Sequence, residues 1–434
     1  MSSDILPSPV RVHILGAGPV GLLLAALLQP NERFSVRLYE KRREYTRTRM
    51  VQLASYLVAD SVEDYSTDNI DEESVFAIFD VREINEGLAF RQSIPSDLMG
   101  LLRGWTQGFV PLNTIERSLS DLIDARRSHP VPRTTANVTA QAATAMLEPG
   151  DILIDCTGSR SVLRDQLVPN ADAADPSSSL ALLPKEADVR PNDKPRPKDQ
   201  MPDGANTLQI RLEYALVITF LYGQAYDCNE YCKYVKNIDN PQYKFIPAVN
   251  RTYYDGSISH VTGIVTISAE DYERMPSRFD GQWLRNNFPK VAESIDRFIA
   301  KVKEETNGEI LGDLEIIRIP LDLYRARNAT SREWRRTGSS DHPFARSPVF
   351  LSGDSAVGSP YFQSISLGFE CSMFLAGLLG QRDLPLADMF DSYELYIYKQ
   401  WLRVYNRSKM IKHNKDLLAC VGDTNALLEK LHIY

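Results

Sequence analysis

Residues 10–40 read VRVHILGAGPVGLLLAALLQPNERFSVRLYE, and this stretch decides the fold. Residues 10–16, VRVHILG, predict a buried first strand. The segment AGPVGLLLAALLQ predicts an apolar helix, opened by glycines and closed near Pro30. Residues 34–40 alternate in polarity and predict a second strand. Gly16, Gly18 and Gly21 stand in GxGxxG spacing around Pro19 and Val20, and Glu40 follows Gly21 by 19 residues. Each position has a physical reason. Gly16 permits a tight turn, Gly18 lets backbone approach a pyrophosphate, and Gly21 lets helix and strand pack closely. The helix start offers unpaired N–H groups to phosphate oxygens. A carboxylate at position 40 can accept both hydrogen bonds of a ribose diol. The βαβ unit and its acid together predict dinucleotide binding.

The composition outside this unit is that of an ordinary globular chain. Of 434 residues, 43% are apolar and 24% charged, enough to build more than one core. The net charge of -8 argues against nucleic acid or an anionic membrane as partner. The cysteines at 156, 228, 232, 371 and 420 are too few and too scattered for a disulfide framework. They fit a reducing, cytoplasmic setting, and no metal site is expected. The first nine residues lack a basic start and an apolar core, so no signal peptide is expected. No uncharged apolar run approaches the roughly 18 residues of a membrane span.

Further elements follow along the chain. Residues 113–125 predict an amphipathic helix with Asn113 as N-cap, and 151–158 a short buried strand. Residues 166–206 are rich in Pro, Asp, Ala and Ser and predict an exposed loop. Strict alternation over 207–214 predicts a strand with Leu208, Ile210, Leu212 and Tyr214 on one face and Gln209, Arg211 and Glu213 on the other. Residues 257–268 and 314–324 add strands, 348–354 a buried strand, and a helix begins near Ser364. The predicted organisation is α/β. A Rossmann-type domain (1–165, resuming at 331–385) is interleaved with a mixed or antiparallel sheet domain (207–330), and C-terminal helices occupy 386–434.

Three motifs in order carry a family resemblance. Glu40-Lys41-Arg42 followed by Arg47 and Arg49 resembles the FAD-binding domain of aromatic hydroxylases of the para-hydroxybenzoate hydroxylase type. The run EKRREYTRTRMVQL also resembles the MICAL monooxygenases. The resemblance implies an arginine on the flavin pyrophosphate, a role falling to Arg49 and also to Arg47. Residues 155–164, DCTGSRSVLR, resemble the family's middle fingerprint, with Cys-Thr-Gly158 in place of Ala-Asp-Gly as in the halogenase and styrene-epoxidase branches. Gly353-Asp354, leading through Pro360 to Ser364-Ile365-Ser366, resembles its Gly-Asp fingerprint. That likeness implies a hydrogen bond from Asp354 to the ribityl chain and a helix N-terminus facing the flavin pyrimidine. The family has glycines where this chain has Ser364, Ile365 and Ser366. Arg117 sits where the family places a further FAD-contacting arginine.

The implied cofactor is FAD, reduced by NAD(P)H that visits transiently or by a partner flavin reductase. The implied reaction is hydroxylation or epoxidation of an apolar or aromatic small molecule with O2, through a flavin C4a-hydroperoxide. Residues 214–254 hold eight of the 20 tyrosines, which suits either an aromatic pocket or a half-buried sheet. Gln209, Arg211 and Tyr222 are the substrate candidates, and no catalytic acid or base is assigned. Three alternatives stay open. A flavin-dependent halogenase is suggested by residues 360–364, PYFQS, but WxWxIP is absent and no lysine lies between Lys41 and Lys185. The others are a flavin reductase or dehydrogenase of the same fold, and a nucleotide-binding protein without catalysis.

Overall fold

The computed structural model describes residues 9–47, 50–67, 79, 81–169, 206–224, 243, 245–253, 257–337, 341–359 and 364–430. In chain order its strands are β1 (Val10–Leu15), β2 (Phe34–Glu40), β3 (Met50–Val51), β4 (Val110–Pro111), β5 (Arg133–Thr135) and β6 (Ile152–Asp155). They continue with β7 (Thr207–Tyr222), β8 (Phe245–Tyr253), β9 (Ile258–Ile267), β10 (Arg278–Asp280), β11 (Ile310–Ala326), β12 (Val349–Leu351) and β13 (Val357–Gly358). The chain forms two compact units. One comprises Met1–Ile210 and Leu323–Asn406, the other Arg211–Asp322 and Arg407–Tyr434.

The first unit is built on a parallel sheet in the order β12-β6-β1-β2-β5. Its inner strands are short apolar runs because both faces are covered. In register, Leu15 of β1 lies beside Asp155 of β6, and Asp155 lies beside Leu351 of β12. Three strands therefore end level, and the turns at 16–18, 156–158 and 352–354 emerge side by side. The helix Pro19–Leu28 joins β1 to β2 and is buried over most of its surface. It packs against the helix Ser364–Gly380, where a Cβ on Gly368 would stand 2.6 Å from the Val20 side chain.

The second unit holds a sheet in the order β10-β11-β7-β9-β8. β9 pairs antiparallel with both β7 and β8, and β10 antiparallel with β11. Its core combines Leu216, Ile218 and Phe220 of β7 with Val291, Ile295 and Phe298 of the amphipathic helix Pro289–Thr306. That helix was not foreseen, because the strands alone were read between 207 and 330.

The two compact units divide inside β7, β11 and the last helix, which run on without a break. Two expectations are corrected. The C-terminal segment is one helix, Leu386–Lys430, because no proline interrupts its hydrogen-bond ladder. Asn113 is not an N-cap. The helix begins at Leu112 behind Pro111, whose φ of -62° suits that position, and the Asn113 N–H donates to the Arg47 carbonyl. The 166–206 loop lies almost wholly outside the described residues, as do Cys228, Cys232 and the tyrosines at 226, 231, 234 and 254. No helix among the described residues is long and apolar enough to cross a membrane.

β7 departs from its alternation at one informative position. Arg211, on the polar face, is the most buried residue of 207–214. Its guanidinium pairs with Asp322 through two nitrogens, Nη2 to Oδ2 at 3.1 Å, and lies over the Tyr214 ring. Both side chains are at most 10% exposed, so the charges are largely desolvated and need one another. Arg211→Met should therefore lower stability by about 3 kcal/mol, read as a fall in the urea midpoint. An unchanged midpoint with lost turnover would instead mark Arg211 as a substrate contact.

Candidate cofactor site

The three level strand ends open onto one groove of about 380 Å³ within the first unit, at the carboxyl ends of its parallel strands. The order of the sheet reverses here, with β2 on one side of β1 and β6 on the other. Gly16, at φ +91°, makes the first turn, and a Cβ there would stand 2.6 Å from the Cys156 carbonyl oxygen. A Cβ on Gly21 would collide with the Gly16 carbonyl oxygen. These two contacts leave only glycine at either position. Gly18 is the N-cap of the helix Pro19–Leu28, and among the described residues no side-chain cap competes with a ligand for the first N–H groups. Gly18, Pro19 and Val20 all line the groove.

One end of the groove carries charge. Glu40 lines it at the end of β2 and accepts from the Arg42 backbone N–H at 3.0 Å and the Arg42 Nε at 3.1 Å. Burial pushes the Glu40 carboxyl up, and the Arg42 bonds more than offset this, holding it below the usual carboxylate range. Lys41, Arg42 and Arg47 line the same end. A Cβ on Gly18 would lie 3.4 Å from Arg47 Nη2 and 3.9 Å from Arg42 Nη2. Two guanidiniums thus face the bare backbone where a pyrophosphate would come closest. They are held by Glu116, which is fully buried, pairs with Arg47 and lies 3.6 Å from Arg42. Glu116 Oε2 has no partner among the described residues.

Asp354, Ser364, Ile365 and Gly158 line the same groove. Asp155 ties these turns together. Its carboxylate accepts from Thr157 N–H (2.7 Å), Thr157 Oγ1 (2.6 Å), Ser161 Oγ (2.7 Å), Leu163 N–H (3.1 Å) and Ser355 Oγ (3.2 Å). Ser355 Oγ in turn accepts from Gly158 N–H at 3.0 Å. Arg164 donates to the carbonyls of Ser355 and Asp354, each at 2.9 Å. The residues of the middle fingerprint therefore build the Gly353-Asp354 turn from behind.

The remaining expected residues are placed elsewhere. Arg117 is exposed, donates to the Tyr45 carbonyl at 3.3 Å and does not line the groove. Its neighbour Glu116 takes the inward position. Gly353 forms the turn without lining the groove, and Ser366 Oγ accepts from the Ala54 N–H at 3.0 Å. Arg49 and Pro360 lie outside the described residues. Gln209 is half-buried on β7, outside the groove, and Tyr222 is buried in the core of the second unit. Arg42 and Asp155 stand in the quoted motifs without an assigned role, and Glu116 was missed. Glu116 did leave a signal, a charge on the stripe Leu112, Ile115, Leu119 and Ile123 that the helix buries.

No protein-family model matches the chain, and no curated protein matches it. Solved structures do resemble it. A tetrameric 2-methyl-3-hydroxypyridine-5-carboxylic acid oxygenase is 15% identical, with 97% of this chain and 95% of that one covered and a TM-score of 0.46. A tetracycline destructase is 9% identical over 96% of this chain and 97% of that one, with a TM-score of 0.43. A flavin-dependent halogenase is 11% identical over 92% of this chain and 62% of that one, with a TM-score of 0.44. At these scores no likeness identifies the reaction.

The groove makes a direct prediction. Arg47→Ala removes one of two cations at Gly18 and should weaken FAD binding about tenfold in calorimetric titration, the scale of a charge-assisted hydrogen bond. Unchanged affinity would place the pyrophosphate away from Gly18.

Proposed function

We propose that the protein is an FAD-dependent monooxygenase that hydroxylates or epoxidises an apolar or aromatic small molecule with O2 and electrons from NAD(P)H. The observation that carries the reading is that one groove is lined both by the Glu40 carboxylate and the Gly18 turn and by Asp354 and the helix start at Ser364. A nicotinamide dinucleotide fold needs the first half of that groove. The second half, with its Gly-Asp turn braced by Asp155 and Arg164, supports a ligand that continues past the pyrophosphate, as FAD does.

The residues fit that cofactor by their own chemistry. Glu40 would accept the ribose hydroxyls. The bare Gly18 backbone, the free N–H groups behind it and the Arg42 and Arg47 guanidiniums would hold the pyrophosphate. Asp354 would take the ribityl chain. The start of the helix Ser364–Gly380 would present its positive dipole end to the flavin pyrimidine edge. Bound FAD supplies electron transfer and oxygen activation. The protein's share is to fix the flavin at both ends, to favour negative charge on its pyrimidine edge, and to keep water from it.

Purified protein, reconstituted with FAD, should show the two visible flavin absorption bands. Their absence would remove the reading altogether. Anaerobic bleaching by NADH or NADPH alone would define a one-component enzyme, and bleaching only with an added flavin reductase a two-component one. Incorporation of isotopically labelled O2 into product separates an oxygenase from a reductase or dehydrogenase, whose product would carry no label.

A further inference from the structure

The first unit contains a second cavity of about 580 Å³, larger than the nucleotide groove. It lies between the helix Val81–Gln92, the helix Ser364–Gly380 and the early turns of the helix Leu386–Lys430. Its walls are aromatic, formed by Phe79, Phe90, Phe374 and Tyr396. Phe374 and Tyr396 stack in parallel with centroids 3.7 Å apart. Phe90 rests on Gly377, where a Cβ would stand 3.0 Å from its ring. Leu395, 42% exposed, forms part of the rim.

The floor of this cavity carries unbalanced charge. Arg91 is 7% exposed, and its Nε has no hydrogen-bond partner among the described residues. Its guanidinium lies over the Tyr65 ring at 5.0 Å, and its Nη2 stands 3.7 Å from Glu370 Oε1, beyond hydrogen-bond range. Glu370 is already committed. It pairs with Arg403 and accepts from the Tyr65 hydroxyl at 2.7 Å. Arg403 also donates to the Tyr65 hydroxyl at 2.9 Å. Two buried guanidiniums thus face one carboxylate. At the rim the charges cancel, since Arg82 pairs with Glu86 and Lys399 with Glu83. Among the described residues Arg91 has no carboxylate of its own, a buried cation in that position is costly, and aromatic walls with such a cation describe the complement of a flat anion.

The geometry points to a second small-molecule site here, for a planar aromatic anion whose carboxylate or phenolate binds Arg91 and whose ring enters the aromatic walls. The site stands whether or not the nucleotide groove holds flavin. It is linked to that groove, because Ser364 and Ile365 of one helix line the groove while Glu370, Phe374 and Gly377 of the same helix line this cavity.

The test uses the full chain saturated with FAD and the fluorescent anion 1-anilinonaphthalene-8-sulfonate, with neutral N-phenyl-1-naphthylamine as its control. Gly87 lines the cavity, and a Cβ there would meet only Arg91 Nη1, at 3.9 Å. Gly87→Trp therefore fills the space without a backbone clash, and Leu395→Trp narrows it at the rim. Wild-type protein should bind the anion saturably, and both variants should weaken it at least about tenfold. Arg91→Met should weaken the anion about tenfold while sparing the neutral dye, because it removes only the charge-assisted bond. It should also leave the melting temperature unlowered, since Glu370 keeps Arg403. Equal anion binding in wild type and both tryptophan variants would overturn the assignment, as would loss of both dyes together in a stably folded Arg91→Met.

Discussion

The Asp155 carboxylate is the contact on which the candidate site depends. It is fully buried at the end of β6, level with the ends of β1 and β12, and five donors reach it from two segments, four from residues 157–163 and one from Ser355. A buried carboxylate without donors would be strongly disfavoured, so each donor is held in place as firmly as the charge itself. One of these donors, Ser355, lies 200 residues away in sequence. Through it the chain returns to the sheet and sets the Gly353-Asp354 turn beside Gly158. The parallel sheet brings the strand ends level, and Asp155 converts that proximity into a fixed groove.

Steric limits at the other end do equivalent work. Gly16 and Gly21 bring β1, the following helix and the Cys156 backbone closer than any side chain would allow. The resulting surface at Gly18 is bare backbone with unpaired N–H groups, and an anion is the ligand it favours. Arg42 and Arg47 are aimed at that surface by Glu116, the inward-facing neighbour of Arg117 on the same helix. A buried acid thus organises two half-exposed cations, and their positions depend less on the mobility usual for surface arginines.

Charge is handled in two ways among the described residues. Arg211 and Asp322 neutralise one another inside the second unit. At the nucleotide groove Arg42 and Arg47 meet Glu40 and Glu116, and Lys41 adds a further cation. At the aromatic cavity Glu370 serves both Arg91 and Arg403. Excess positive charge in a concave place is what separates the last two from a structural ion pair, and it is the common physical mark of an anion site.

The sequence by itself determined the βαβ unit, its glycine turn, Glu40 and the order of the three motifs. These rest on local backbone geometry, which residues within a few positions of one another dictate. It also placed β2 to the residue, while β7 and β11 ran several residues past their alternating cores. Only the tertiary structure decided which side chains meet. Asp155 with Ser355, Arg47 with Glu116, Arg211 with Asp322, and Arg91 beside an engaged Glu370 all join distant segments. Such pairs depend on strand order and helix packing, and no local spacing encodes them. For the same reason Arg117, which the motif favoured, turned outward, and the residue before it turned in.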